Sequence, residues 1–488
     1  MSQWQWTQHD LLKCILALLR SEATPCYIVG GRVREWLLSQ PGTDIDLVVA
    51  GAAIPLARRI ANETGGAFYV LDQETDTARI VYRTPSDLTV DMAAMRGPDI
   101  FADLRARDFT INAMAVDVRE WCQPQPQVLD PCGGQSDLAA RVLRATNELA
   151  FEQDPVRLLR AVRFAATLNL NIEPQTEFWM RRDASLITRP SAERVRQELA
   201  LIMASPRAVV HVRRMDDLGL LRGVIPELAT LKGVPQSPPH HNDVYEHTLD
   251  TVGEVERLTT FQDARLDPDE AQSLRPFAAD LEAYFARTIC EKRARSTLLK
   301  FAALLHDAAK PLTQSVEADG RIRFLGHERL SGEIAREVLT RLRFSTQEIH
   351  LVCTTVAEHM RPGLLSKTPP VTRRAVYRFF RDTGDAAVDV LMLSIADHRS
   401  ARGPSVLIDH WRQHLELTHL MLDNYFRKPL EAVTPPPLVT GNDVTALLGL
   451  KPGPQVGQLL EAVREAQADG QVQTREEALE FLRHRPAG

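Results

Sequence analysis

Short apolar blocks separated by polar residues run through the first hundred positions of the chain. Two stretches, Gln8–Ser21 and Ile54–Gly65, repeat apolar residues every three to four positions, which predicts amphipathic helices. Five shorter runs are apolar or alternate in polarity, the pattern of β-strands: Tyr27–Val29, Asp44–Val49, Ala67–Leu71, Ala78–Tyr82 and Leu88–Met92. We therefore predict an α/β head with a small mixed sheet.

Helical periodicity dominates from Ala139 to the C-terminus, with breaks at proline and glycine. Pro226–Pro239 and Pro435–Pro437 mark boundaries, and the charged stretch Asp263–Arg295 predicts a solvated helix or insertion. We divide the chain into a head (1–138), a helical neck (139–225), a helical body (226–434) and a small helical tail (435–488).

The segment Cys26–Gly51 reads CYIVGGRVREWLLSQPGTDIDLVVAG and is the most informative part of the head. Gly30 and Gly31 predict a tight turn between a strand and a short helix, Val33–Leu38, which Pro41 and Gly42 end. A glycine turn at a helix N-terminus can bind anions, and Arg34 adds a charge suited to phosphate. Alone, such a turn is more often only a turn.

Two carboxylates lie on the strand that follows. Asp44 and Asp46 are two residues apart, so both project from one face, roughly 6–7 Å apart. That spacing suits one or two hard cations, as phosphoryl transfer requires. The strand Leu88–Met92 supplies Asp91 as a candidate third carboxylate; the alternative is an edge-strand residue that faces water.

The composition of the chain narrows the class of protein to which it can belong. The chain is 44% hydrophobic and 25% charged, with a net charge of −6, as expected of a globular protein with at most a local basic groove for nucleic acid. Its longest apolar run, Leu11–Leu19, contains Lys13 and is too short to span a membrane. Six scattered cysteines form no framework, which predicts reduced thiols in a cytoplasmic protein.

Two further segments carry polar residues suited to nucleotide binding. Arg107–Ala115 reads RDFTINAMA, in which Asp108 can accept a bond from a ribose hydroxyl and Arg107 can bind phosphate. Read alone, this segment also fits a helix start. In the helix expected over Phe151–Leu168, Asp154 and Arg157 share a face, as acceptor and donor.

Such a pair matches the Watson–Crick edge of cytosine or adenine and rejects guanine and uracil. The alternative is an ordinary salt bridge within a helix.

Together these motifs resemble the polymerase-β superfamily, and specifically class II tRNA nucleotidyltransferases and bacterial poly(A) polymerases. The resemblance implies catalytic Asp44 and Asp46 with Mg²⁺, which Asp91 would also ligate. It also implies tRNA, CTP and ATP as partners, and nucleotide contacts from these residues: Gly30, Gly31, Arg34, Arg107, Asp108, Asn112, Asp154, Arg157 and Arg160. Two positions depart from the family pattern, Ala106 in place of an Arg and Gln153 in place of a Glu.

Six further residues, in the predicted body, are of metal-ligand type and follow one another along the chain: His247, His306, Asp307, His327, His359 and Asp397. Their order resembles the all-helical HD phosphohydrolase superfamily, which implies a divalent metal of unidentified kind. Single histidines in helices are more often core residues. The resemblance thus predicts an α/β nucleotidyltransferase head followed by an all-helical neck, HD body and tail.

The expected function is addition of C, A or both to the 3′ end of tRNA. Poly(A) synthesis is the runner-up, and a metal-dependent phosphohydrolase with an RNA-binding head is the alternative of another class. The bridge Gly97–Ala106 is short, whereas many family members that add the whole CCA end carry a longer, flexible segment there, which members that add only CC lack. We therefore predict efficient addition of CC and poor addition of A, although some members that add all three have compact loops.

Overall fold

The computed structural model describes residues 8–40, 42, 44–83, 88–260, 266–291, 293–368, 370–402, 408–428 and 436–484. The predicted breaks at Pro41 and Pro435 lie outside these residues. The chain forms two compact units, one of Met1–Pro190 with Leu218–Leu220 and one of Ser191–Asp217 with Leu221–Gly488. The finer four-part division stays a prediction. Among the described residues, no helix is long and apolar enough to cross a membrane.

The first unit contains a mixed six-stranded sheet in the order β3-β4-β5-β2-β1-β6. Its strands are β1 (Cys26–Val29), β2 (Asp44–Val49), β3 (Ala67–Asp72), β4 (Thr77–Tyr82), β5 (Leu88–Ala94) and β6 (Ala115–Asp117). β2 and β5 are parallel, and the other neighbours are antiparallel. The predicted small mixed sheet is confirmed; β6, which begins at the last residue of the RDFTINAMA segment, was not predicted.

Eight helices belong to this unit in the described residues: α1 (Gln8–Arg20), α2 (Gly31–Leu37), α3 (Ala53–Thr64), α4 (Ile100–Arg105), α5 (Gly134–Ala139), α6 (Ala150–Gln153), α7 (Arg157–Leu168) and α8 (Pro174–Asp183). α1 and α3 bury one face of the sheet through alternate strand residues such as Ile45, Ile80 and Val90. The other face is covered only in part, where Ile100 and Leu104 pack on β1, β2 and β6.

The second unit is mainly helical, as predicted. Its helices are α9 (Ala192–Ala204), α10 (Ala208–Asp217), α11 (Leu221–Val224), α12 (Val244–Thr259), α13 (Pro268–Leu274), α14 (Ala278–Ala286), α15 (Arg295–Leu305), α16 (Lys310–Thr313), α17 (His327–Arg341), α18 (Thr346–Glu358), α19 (Met360–Leu365), α20 (Arg373–Thr383), α21 (Ala387–Arg402), α22 (Ile408–Arg427), α23 (Gly441–Leu448), α24 (Pro454–Ala468) and α25 (Arg475–Arg483).

Short strand pairs interrupt the helical part, which is therefore not wholly α. They are β7 (Val142–Leu143) with β8 (Asn171–Ile172), β9 (Thr288–Cys290) with β10 (Arg293–Ala294), and β11 (Gln314–Val316) with β12 (Ile322–Phe324). The structure describes residues 266–291 and 293–295 of the charged stretch Asp263–Arg295, and these residues are partly buried. Its Phe277, Tyr284 and Arg295 are fully buried, so the prediction of a solvated insertion is wrong there.

Candidate active site and metal centre

The Gly30–Gly31 turn joins β1 to α2 and lies beside Asp46. Gly30 has φ 67° and ψ −129°, a backbone conformation that is essentially restricted to glycine. A Cβ atom at Gly30 would lie 3.2 Å from Asp46 Oδ2 and 3.4 Å from Arg107 Nη1. The turn thus brings main-chain atoms close to a carboxylate and a guanidinium, and this closeness requires glycine.

Three carboxylates share the partly open face of the sheet. Asp46 lies directly opposite Asp91 in the parallel β2–β5 register, and Asp44 projects from the same face two residues earlier. Burial, together with the charges of Asp91 and Asp44, raises the pKa of Asp46, while Arg107 and a bond from the Gly31 N–H lower it. Such clustered negative charge is suited to binding a divalent cation.

Asp91 lies on an inner strand, so the edge-strand alternative is wrong. Arg79, directly opposite on β4, donates from Nε and Nη2 to its two carboxylate oxygens at 2.7 and 2.8 Å. The Asp91 carboxylate is therefore paired with the Arg79 guanidinium through both of its oxygens.

Arg107, whose guanidinium lies near the glycine turn, is held in place by an aspartate of α4. Its Nε donates to Asp103 Oδ2 at 3.0 Å, and Asp103 Oδ1 accepts the Arg96 backbone N–H at 3.0 Å. Asp103 is buried on α4, so it holds Arg107 against the glycine turn. Arg107 is therefore oriented to contact an anion bound at Gly30.

Asp108 is the centre of a buried polar network. It accepts bonds from Asn112 Nδ2 at 3.1 Å and from the Phe109 N–H at 2.8 Å, and it pairs with Arg160 Nη2 at 2.8 Å. Burial acts to raise the pKa of Asp108, but Arg160 and these donors outweigh it and lower the pKa. Arg34 donates to Asn112 Oδ1, which joins the glycine turn to this network.

The candidate base-reading pair sits at a helix break. Asp154 follows the end of α6, and α7 begins at Arg157, so the two do not lie on one continuous helix as predicted. Arg157 Nε is 4.0 Å from Asp154 Oδ2, and its two Nη atoms donate to the Ala150 and Ala106 carbonyls at 3.2 Å each. Acceptor and donor are therefore adjacent, and Arg157 is bonded to the end of the 97–106 bridge.

The head residues predicted to bind nucleotide and metal thus all lie on one unit, with the carboxylates on β2 and β5 and the glycine turn between β1 and α2. Such an arrangement can bind a triphosphate beside a carboxylate-bound cation.

All six candidate ligands of the helical unit also converge. His247 Nε2 lies 3.0 Å from Asp397 Oδ1 and 3.3 Å from Asp307 Oδ2, and His306 Nε2 lies 3.1 Å from Asp307 Oδ2. His327 Nε2 lies 3.2 Å from the second Asp307 oxygen. Two groups of potential ligands result, His247–His306–Asp307 and Asp307–His327–His359, and they share Asp307.

The surroundings of these histidines fit metal ligands. Backbone carbonyls lie 2.6–2.8 Å from the Nδ1 atoms of His306, His327 and His359, at hydrogen-bond distance. With Nδ1 next to a carbonyl, each ring turns its Nε2 toward the cluster, and this second-shell contact orients the Nε2 as a metal ligand. Burial lowers the pKa of His359 to about 4, so that ring is neutral, as metal binding requires.

A cavity of about 360 Å³ opens beside this cluster and is lined by Asp307, His327 and Asp397. Lys310 lies in its wall, with Nζ 2.6 Å from Asp307 Oδ2 and 2.7 Å from Gln236 Oε1. Arg323 and Lys367 add positive charge to the lining. The cavity therefore combines candidate metal ligands with positively charged side chains, a combination suited to binding an anion.

Sequence reasoning missed three residues that shape these sites. Lys310 stands three residues after Asp307, and that spacing on a helix was an available signal. Asp103 stands four residues before Arg107, which was a comparable signal. Arg79 had none, because its contact with Asp91 depends on how two strands align.

Comparisons with known proteins add to this geometry. The poly A polymerase head domain family matches residues 26–144, the family described as the probable RNA and SrmB-binding site of polymerase A matches residues 169–232, and the HD domain family matches residues 282–402.

The chain also matches two relatives over most of their length. The chain is 34% identical to the A-adding tRNA nucleotidyltransferase of Deinococcus radiodurans, over 93% of this chain and 94% of that protein. It is equally 34% identical to the CC-adding tRNA nucleotidyltransferase of Thermus thermophilus, over 93% and 92%. A solved CCA-adding enzyme in its apo form shares the fold, with a TM-score of 0.62, 21% identity and coverage of 98% of this chain and 94% of that one.

Proposed function

This chain belongs to the family of tRNA nucleotidyltransferases, and on that premise we propose that it adds C, or C and A, from CTP and ATP to the 3′ end of tRNA in the cytoplasm. The observation that carries the proposal is the meeting of the Gly30 turn, Asp46 and Arg107 within contact distance. Phosphate-binding groups beside carboxylates that can hold a cation are what transfer of a nucleotide requires.

In this proposal Asp44 and Asp46 hold Mg²⁺, and Asp91 stands beside them. Bound there, Mg²⁺ lowers the pKa of the RNA 3′-hydroxyl and offsets charge on the triphosphate. Gly30, Gly31 and the Arg107 guanidinium bind the phosphates.

The remaining head residues act on the sugar and the base. Arg34 and Asn112 support the phosphate and ribose sites, and Asp108, held in its charged form by Arg160, accepts a bond from the ribose hydroxyl. Asp154 and Arg157 read the Watson–Crick edge of C or A.

We further infer that the enzyme is a CC-adding member of the family. Between β5 and α4 only residues 95–99 intervene, and this segment is bonded at both ends. The Met95 N–H donates to the Val49 carbonyl at 2.8 Å, and Asp99 caps α4 through the Ala102 N–H. The bond from Arg157 to the Ala106 carbonyl ties the base-reading arginine to the same bridge, which limits its shift toward a larger base.

The test uses tRNA transcripts that end at the discriminator base or at CC. We expect CTP to extend the first to CC, and single-turnover ATP incorporation on the second to be far slower than C addition. Sequencing of the 3′ ends identifies the products. If A is added as fast as C, the CC-only inference fails while the transferase function stands; if no nucleotide is added, the function itself fails.

A second activity is favoured by the two ligand groups that share Asp307 beside a cavity with cationic walls. We propose that the cluster binds a divalent metal and that this domain cleaves a phosphoester. Imidazole and carboxylate ligands together suit a transition metal, which supplies an activated water when bound. Lys310 and Arg323 would hold the phosphate.

The matching experiment measures bound metals by elemental analysis. It then assays p-nitrophenyl phosphate and bis-p-nitrophenyl phosphate with Mg²⁺, Mn²⁺, Co²⁺ and Ni²⁺. Hydrolysis that Asp307→Asn abolishes supports the proposal; a metal-loaded protein that hydrolyses neither substrate contradicts it. We also propose that the four-part division at 138, 225 and 434 describes the domains.

A further inference from the structure

The partly open face of the head's sheet has two unlike halves. Over β1, β6 and the second half of β2 it is buried, because Val29, Val48 and Ala115 pack against α4, whereas the start of β2 with Asp44 and Asp46 is at least partly exposed. Over β3, β4 and β5 the residues of this face remain partly or largely exposed, and among the described residues the cluster that contains α4 includes none of them. One half of the face is therefore closed, and the other is accessible.

The predicted nucleotide contacts all lie toward the closed half. The Gly30 turn follows β1, and Arg107 and Asp108 lie between α4 and β6. In nucleotidyl transfer the attacking and leaving oxygens are roughly in line across the phosphorus. With the triphosphate on the β1 side of Asp46, the attacking 3′-hydroxyl must come from the β5 side.

A row of side chains crosses that second half at the level of the carboxylates. The registers align Asp46 with Asp91, Asp91 with Arg79, and Arg79 with Tyr69 on the edge strand β3. Tyr69 is 50% exposed, whereas its neighbour Phe68 packs on the core of the opposite face under Arg58. Since strand residues alternate, Tyr69 projects from the same face as Asp46.

From these observations we propose that Tyr69 and Arg79 form a binding surface for the single-stranded 3′ end of the acceptor RNA. This proposal rests on the proposed transferase function. Three strand spacings separate Asp46 from Tyr69, about 14 Å, or at most about four nucleotides at the stacked rise of about 3.4 Å. Tyr69 stacks on a base a short distance back from the reacting end. Arg79 balances the charge of Asp91, so that RNA phosphates can pass.

The experiment compares Tyr69→Ala, Tyr69→Phe and Val70→Ala in the full chain. Val70 is 39% exposed on the same strand but projects from the opposite face, so it is the matched control. We expect Tyr69→Ala to raise the KM for tRNA about fivefold to tenfold, the loss of one stacked base, with the KM for CTP unchanged. Tyr69→Phe keeps the ring and should keep wild-type values, and Val70→Ala should too.

A second measurement needs no turnover. A tRNA ending in CC carries 2-aminopurine at the discriminator position, and the wild-type protein should quench its fluorescence on binding. Loss of this quenching in Tyr69→Ala supports the surface, and Arg79→Met should weaken RNA binding because Asp91 then repels phosphate. If the wild type adds nucleotides but Tyr69→Ala alters neither RNA KM nor quenching, the surface proposal is wrong and the function stands.

Discussion

Gly30→Ala tests the glycine turn directly. The native φ of 67° with ψ −129° disfavours any side chain, and the new Cβ would lie 3.2 Å from Asp46 Oδ2. Backbone strain of this kind costs about 1–3 kcal/mol. The protein either bears this strain or moves the turn away from Asp46 and Arg107, and both outcomes lower activity or stability.

If the whole strain were expressed in the transition state, nucleotide addition would slow by about fivefold to 150-fold, since about 1.4 kcal/mol corresponds to a factor of ten. If it were expressed as instability, the unfolding midpoint of the head would fall by about 2–4 °C for each kcal/mol. Single-turnover C addition measures the part of the strain that slows the reaction, and calorimetry measures the part that lowers stability.

Gly31→Ala is the matched control for stability. Its Cβ would meet nothing closer than Arg34 Nη2 at 3.5 Å, an ordinary contact, and Gly31 is already the first residue of α2. We expect its unfolding midpoint to stay near wild type. The reasoning is refuted if Gly30→Ala keeps both wild-type rate and midpoint, or if Gly31→Ala is destabilised as much.

Three further outcomes are expected. Asp46→Ala should abolish nucleotide addition while filter binding still detects tRNA; residual activity above a few per cent of wild type would contradict a cation held there. Asp154→Ala with Arg157→Ala should relax the choice of base in assays with each NTP. It should also destabilise the head by about 1–3 kcal/mol, because buried carbonyls lose a donor. Asp307→Ala with His306→Ala should remove bound metal, measured by elemental analysis, and spare C addition; joint loss in a folded protein would argue against separate sites.

The sequence alone predicted the kind of chemistry that each site could perform, because this depends on residue type and on short spacings along the chain. Asp44 and Asp46 share a face as soon as a strand forms, and a glycine pair between a strand and a helix makes an anion-binding turn. The order of the six ligand-type residues, through its resemblance to a known family, likewise predicted candidate metal ligands, and the fold brings these side chains together. The helices and strands that periodicity predicted in the head agree with the structure within one or two residues at each end, whereas α4, α5 and β6 were not predicted.

Tertiary structure decided how distant segments meet. Strand order made Asp91 an inner residue and set Arg79 and Tyr69 in line with it, and strand pairing between separate segments leaves no local signal. The break between α6 and α7 turned Arg157 toward the Ala106 carbonyl, and Asp307 came to serve two ligand groups at once. Residue types and local spacing thus determined which chemistry is available, while packing and register determined which groups act on one another, because those contacts join residues far apart in the chain.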